Sequence, residues 1–126
     1  MKQQNKIMPE SERNLLCIEV RGLVTYEYYI EIYLKSLKKI LEDFSKARLL
    51  FFYPDPENFI GWEKKAADID FSTFNEYAKK IEKTAIINPP KSVSQRWDFR
   101  MPILGGEFHE FEKAEDLPAA IEWIKK

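Results

Sequence analysis

One cysteine and one histidine stand among the 126 residues, Cys17 and His109. A lone thiol forbids an internal disulfide and a cysteine-based zinc site, so folding rests on the hydrophobic core and a reducing compartment is expected, the cytoplasm by default. A lone imidazole leaves His109 as the sole candidate for histidine-dependent catalysis. It falls in a strand-like segment, flanked by Glu107, Phe108, Glu110 and Phe111, where a surface histidine is the ordinary expectation. Glycine is scarce too, four in all, and Gly105-Gly106 lacks the lysine and hydroxyl residue that complete a phosphate-binding loop. The nucleophile-elbow pattern G-x-S-x-G is missing. No apolar run approaches the ~18 residues of a membrane span. The stretch MKQQNKIMPESERN has no signal-peptide core. A soluble protein without integral membrane association is expected.

Net charge is nearly absent as well. Twenty Lys and Arg face 21 Asp and Glu, a formal charge of −1, which gives no field to draw in nucleic acid. The lysine doublets at Lys38-Lys39, Lys64-Lys65, Lys79-Lys80 and Lys125-Lys126 read as solvated helix ends and faces.

What the chain does have is apolar and aromatic bulk: 44% hydrophobic residues, 14% of the total aromatic. One domain over residues 1–126 is expected, large enough to bury a single core. Lys6 to Met8 suggests a short strand. Leu15 to Val20 alternates Leu16, Ile18 and Val20 against Cys17 and Glu19, the period of a strand, and the two are expected to pair as a hairpin. After Gly22, Thr25 suits the N-cap of a helix from Tyr26, whose apolar stripe is Tyr26, Ile30, Tyr33, Leu37, Ile40 and Phe44. Arg48 to Tyr53 is continuously apolar, as in a central parallel strand covered on both faces. A short helical piece at Glu63 to Ala67 precedes a helix capped by Asp70 or Ser72 and running to about Lys80. Phe74, Tyr77, Ala78 and Ile81 face inward from it. Thr84 to Asn88 is a strand ended by Pro89-Pro90. Lys91 to Phe99 is a short helix, Glu107 to Phe111 the last strand, and Leu117 to Ile124 a helix whose Pro118 suits its first turn, so that it starts near Asp116. The order ββαβαβαβα implies an α/β fold: a four- to five-stranded, mostly parallel sheet with an antiparallel first strand and about four helices.

Chemistry is harder to place. The acids Asp55, Glu57, Glu63, Asp68 and Asp70 cluster, yet general acid–base work needs two groups in different environments, and no calcium-loop spacing or histidine ligand accompanies them. A Cys17–His109 nucleophile pair would need spatial adjacency. No catalytic residue, metal or cofactor is therefore expected, and the protein is read as non-enzymatic. The remaining candidates are aromatic and apolar. YPDPENFIGW, residues 53–62, follows the central strand, at the carboxyl end where ligands bind on parallel sheets. Tyr53, Phe59, Ile60, Gly61, Trp62, Phe71 and Trp97 are the candidate ligand- or partner-binding residues, with Phe74 and Phe99 nearby.

Several features in order resemble the SpoIIAA-like branch of the STAS superfamily, whose fold is similar to CRAL-TRIO lipid-binding domains. They are Gly22, Thr25 and Tyr29 at the first long helix; Gly61-Trp62 after the central strand; Ala85, Ile86 and Ile87; and Phe111, Glu115, Ala120 and Trp123 at the end. Tyr28 stands where an acid is usual, and Lys83 where arginine is usual before the fourth strand. The local excess of aromatics and the missing catalytic set point to a binding module for an apolar, lipid-like molecule or a protein partner, exposed aromatics make a homodimer plausible, and the resemblance implies a β-α fold. It also implies an alternative, an anti-sigma-factor-antagonist-like regulator. Such antagonists carry a phosphorylatable serine where the loop after the central strand enters the next helix. Residues 53–62 hold no serine or threonine, and Ser72 and Thr73 come late.

Overall fold

The computed structural model describes residues 5–100 and 106–126. Gly105 and the side chain of Phe99 lie outside the described residues. Five strands form the main sheet in the order β1-β2-β4-β6-β7: β1 Lys6–Ile7, β2 Leu15–Glu19, β4 Ala47–Phe52, β6 Ile81–Ile87 and β7 Glu107–Phe111. β1 is antiparallel to β2 and every other pairing is parallel, as the alternating pattern predicts.

The stepping direction decides where the helices go. From β2 onward each parallel strand is added on the same side of its predecessor. Right-handed crossovers that step one way must all lie on one face of the sheet. The helix at 26–43 (α1), Lys64–Tyr77 (α2) and Lys91–Arg100 (α3) are those crossovers. Their core residues Tyr29, Leu37, Ala66, Val93 and Trp97 join Leu16, Ile18, Leu49 and Ile86 of the sheet in one cluster. Leu117–Lys125 (α4) follows β7 and covers the opposite face, where Ala120 and Ile124 meet Leu15, Cys17, Leu50, Ala85 and Ile87. Burial of a side chain such as Leu50 or Ile86 contributes roughly 1.5–3 kcal/mol relative to exposure. Two sheet cations tie α4 down at its carbonyl end, where helix C=O groups lack partners. Arg48 Nη1 donates to Ile124 O at 2.7 Å and Lys83 Nζ to Trp123 O at 3.1 Å.

Several boundaries depart from the sequence pattern. α1 is capped by Thr25 as expected, its Oγ1 accepting from Tyr28 N at 3.1 Å, but Tyr29–Leu34 is a π-helical stretch between α-helical Tyr26–Tyr28 and Lys35–Asp43. The wider turn rotates the buried stripe, so Tyr28, Tyr29, Tyr33 and Leu37 are buried and Tyr26 is exposed. The two pieces expected at Glu63–Ala67 and from Asp70 are one continuous α2, with Asp70 buried inside it, not capping it. β6 begins at Ile81, three residues before Thr84, so Ile81 and Lys83 are strand residues; it ends at Ile87, and the next residue, Asn88, takes φ 58° ahead of Pro89-Pro90.

A second, two-stranded parallel sheet was not legible: Leu23–Val24 (β3) pairs with Gly61–Trp62 (β5). It joins the two motifs flanking Gly22 and Trp62. Ile60 N donates to Gly22 O at 2.8 Å, Glu63 N to Val24 O at 3.0 Å, and the Glu63 carboxylate accepts from Tyr26 N at 2.8 Å, completing the start of α1. Gly61 sits at φ +132°, where a side chain is strained.

Two glycines test this register. At Gly106 an added Cβ would stand 2.6 Å from the Ile81 carbonyl oxygen and closer still to that of Glu82. Gly106→Ala is expected to cost about 1–3 kcal/mol and Gly61→Ala roughly 1–2 kcal/mol, each seen as a lower urea midpoint at unchanged slope. Unmoved midpoints would refute both placements.

Candidate functional site

Three helices over one face of the sheet leave a cavity of about 70 Å³ between them. Its floor is apolar: Ile18, Val20, Leu49 and Phe51 from β2 and β4 and their ends. The π-helical stretch of α1 turns Tyr29 and Tyr33 inward with ring centroids 5.0 Å apart, and Tyr29 lies 6.1 Å from Trp62. Trp97 on α3 is the hub of the opposite wall, stacked on Phe108 at 5.3 Å and edge-on to Phe74 at 5.9 Å. Such tilted and edge arrangements are the favoured ones for aromatic pairs.

One end of this aromatic cavity is charged. Asp70, on α2, is 7% exposed, and a carboxylate so buried is tolerated only with partners. It has three. Tyr29 Oη donates to Oδ1 at 2.6 Å, and Arg100 and Arg96 of α3 donate to Oδ2 at 2.6 and 3.4 Å. Both guanidiniums lie against rings, Arg96 4.5 Å from the Trp62 centroid and Arg100 4.6 Å from that of Phe74, a placement that suits a delocalised cation. Burial pushes the phenols of Tyr28, Tyr29, Tyr33 and Tyr53 upward, and for Tyr29 the neighbouring Tyr33 and Asp70 add to it. All four remain neutral at physiological pH. Burial lowers Arg96 from its usual range, opposed by the Asp70 charge.

Of the residues expected to form a site, the cavity gathers Tyr53, Trp62 and Trp97. Phe59 packs edge-on against Tyr53 at 5.6 Å, behind the wall, and Gly61 builds β5. Ile60 and Phe71 are 76% and 67% exposed and do not line the cavity. Asp70, Thr84, Arg96, Arg100 and the tyrosines of α1 were missed. The i, i+4 repeat of Arg96 and Arg100 on a short helix was the available signal.

The acid cluster disperses on folding. Asp55 accepts from Asn58, Asp68 pairs with Lys64, Glu63 serves α1, and Asp70 alone turns inward. Cys17 and His109 occupy one row of the sheet, Cys17 opposite Leu50, Leu50 opposite Ala85, and Ala85 opposite His109. Three strand spacings, roughly 14 Å, keep them from bonding. Burial, with the nearby Glu10 charge, pushes the Cys17 thiol up to about 12, and exposed His109 stacks on Phe111 at 4.1 Å. Neither faces the cavity. Among the described residues no three His, Cys, Asp or Glu side chains are grouped to hold a metal ion, and no helix is long and apolar enough to cross a membrane.

The fold is an α/β domain of the STAS type, with a five-stranded main sheet and its crossover helices on one face. The chain belongs to the SpoIIAA-like family, whose sequence model matches residues 15–125. A similar solved structure is an uncharacterized protein of the DUF3478 family with a SpoIIAA-like fold from Shewanella loihica PV-4, 22% identical, with 98% of each chain covered and a TM-score of 0.62. At that identity the likeness shows the fold. No curated protein matches the chain.

Removing the Tyr29 hydroxyl leaves a buried carboxylate with one donor fewer. Tyr29→Phe is expected to cost about 1–3 kcal/mol in chemical denaturation, and a neutral result would mean that water replaces the phenol. The four phenols carry folded values above their unfolded value of about 10, so their contribution is complete below that pH and is lost progressively as pH rises from there toward the folded values. Tyrosinate absorbance from these four should therefore appear only together with loss of far-ultraviolet dichroism; ionisation in the folded state would contradict their burial.

Proposed function

We propose that this protein is a non-enzymatic binding module that holds an apolar, lipid-like small molecule in the cavity between α1, α2, α3 and the sheet. The carrying observation is the cavity itself: aromatic and aliphatic walls with a few fixed polar groups at one end, the usual composition of a ligand site. Its volume of about 70 Å³ is below the roughly 300–1,000 Å³ of sites for drug-sized ligands. The helices as they stand admit a small ring or a chain end. A longer molecule requires α2 and α3 to part, which breaks the pairs between Asp70 and the two arginines. The buried thiol supports a reducing, cytoplasmic setting. Its raised value and the separation of Cys17 from His109 favour a protein that binds without turnover.

A second reading is supported by the exposure of Ile60 and Phe71: a regulatory protein, anti-sigma-factor-antagonist-like, that docks a partner or its own copy through the loop at 53–62 and α2. It would act without the usual phosphoserine. α2 starts at Lys64 behind Glu63, Ser72 lies well inside the helix, and Thr73 is buried.

Native mass spectrometry of protein purified without denaturation should show a bound apolar molecule, and a thermal-shift screen of small hydrophobic compounds should raise the wild-type midpoint. Val93→Phe, which fills the cavity, should abolish both effects while the protein stays folded. Absence of ligand and shift, with partner capture or self-association lost in Ile60→Asp and Phe71→Asp, would replace the first reading by the second.

A further inference from the structure

The charged end of the cavity does not balance. Two guanidiniums share one carboxylate, with Arg100 at 2.6 Å and Arg96 left at 3.4 Å. The charged and titratable groups that act on Arg96 are Asp70, Arg100, Tyr53 and Tyr29, so among the described residues no second anion serves it. The imbalance is only partly relieved by water, since the side chains of Arg96, Arg100 and Asp70 are 29%, 13% and 9% exposed. A second observation lies on the floor. Thr84, fully buried in β6, lines the cavity, and its Oγ1 has no hydrogen-bond partner among the described residues. Buried hydroxyls are nearly always satisfied, so this one leaves an unmet hydrogen-bonding demand beside the cavity.

We propose, building on the ligand-binding reading above, that the cavity selects a monoanionic carboxylate with a short apolar body, its head taken by Arg96 and Arg100 and its tail by the aromatic walls. A single negative charge neutralises the excess of one positive charge; a phosphate dianion would reverse it. Guanidinium groups match the planar, two-oxygen geometry of a carboxylate. Asp70 holds Arg100 in place and leaves Arg96, braced on Trp62, with donors to spare. The free space, about five water-sized spheres, suits a chain of a few carbons.

Titration of the wild-type protein, followed by tryptophan fluorescence and calorimetry, with butyrate, hexanoate and octanoate against the matching 1-alkanols and alkylamines tests this. Each carboxylate should bind at least about tenfold more tightly than its alcohol, and the amine more weakly still. In Arg96→Gln the carboxylate preference should fall by about that factor while alcohol affinity changes by less than about twofold. Equal binding of carboxylate and alcohol, or a preference for the amine, would overturn head-group selection and leave an apolar ligand site intact. A preference that survives in folded Arg96→Gln would overturn the assignment to Arg96. Binding by none of the series would remove this inference, while a shift with other apolar compounds would keep the ligand-binding reading. The wild-type comparison needs no variant, so it decides even if Arg96→Gln does not fold.

Discussion

The carboxylate of Asp70 is the constraint on which the three-helix face of this molecule depends. It sits on α2, receives a phenol from α1 and two guanidiniums from α3, and so fastens all three crossover helices at one point. An unpaired charge at that depth would cost several kcal/mol, so the three donors are obligatory companions. Their own requirements then organise the surroundings: Arg96 and Arg100 need ring faces, supplied by Trp62, Phe74 and Trp97. The aromatic walls and the charged end form one interlocked unit.

That unit exists because of the strand order. Three right-handed crossovers stepping in one direction crowd α1, α2 and α3 onto the same face, while α4 alone covers the other. Around the single helix the small Cys17, Ala85 and Ala120 pack closely with Leu50 and Ile87. On the three-helix side, the large rings of Tyr29 and Tyr33, and of Phe51 and Trp97, meet at angles and leave residual volume. The π-helical stretch contributes directly, because it swings Tyr29 and Tyr33 toward the sheet and away from the stripe that a regular helix from Tyr26 would present. Membership of the SpoIIAA-like family accounts for the frame. Asp70, Arg96 and Arg100 add a charged end to the cavity within that frame.

The loop at 53–62 shows how local and global reasoning divide. The inward use of Tyr53 and Trp62 beside Trp97 was not legible from the sequence, whereas the loop's position beyond the central strand was. Its pairing with Leu23–Val24 was not, because a two-residue strand carries too few side chains to show a period. Ile60 is more apolar than Tyr53, yet it is 76% exposed and Tyr53 3%. The turn at Pro56–Asn58 and the unusual φ of Gly61 set that difference.

Periodicity and punctuation by themselves determined the order of the main elements, the parallel sheet with its antiparallel first strand, the cap at Thr25 and the limits of the last helix. Each of these depends on residues a few positions apart. Only the tertiary structure decided that Asp70 is an internal counterion and not a helix cap, that Arg96 and Arg100 face it, and that Cys17 and His109 share a row without touching. The Asp70 contacts join segments as far as 41 residues apart, and the shared row of Cys17 and His109 depends on the register of four strands. A carboxylate reads the same in a solvated loop and in a closed cavity; what distinguishes the two is desolvation, which arises only when the helices close over it.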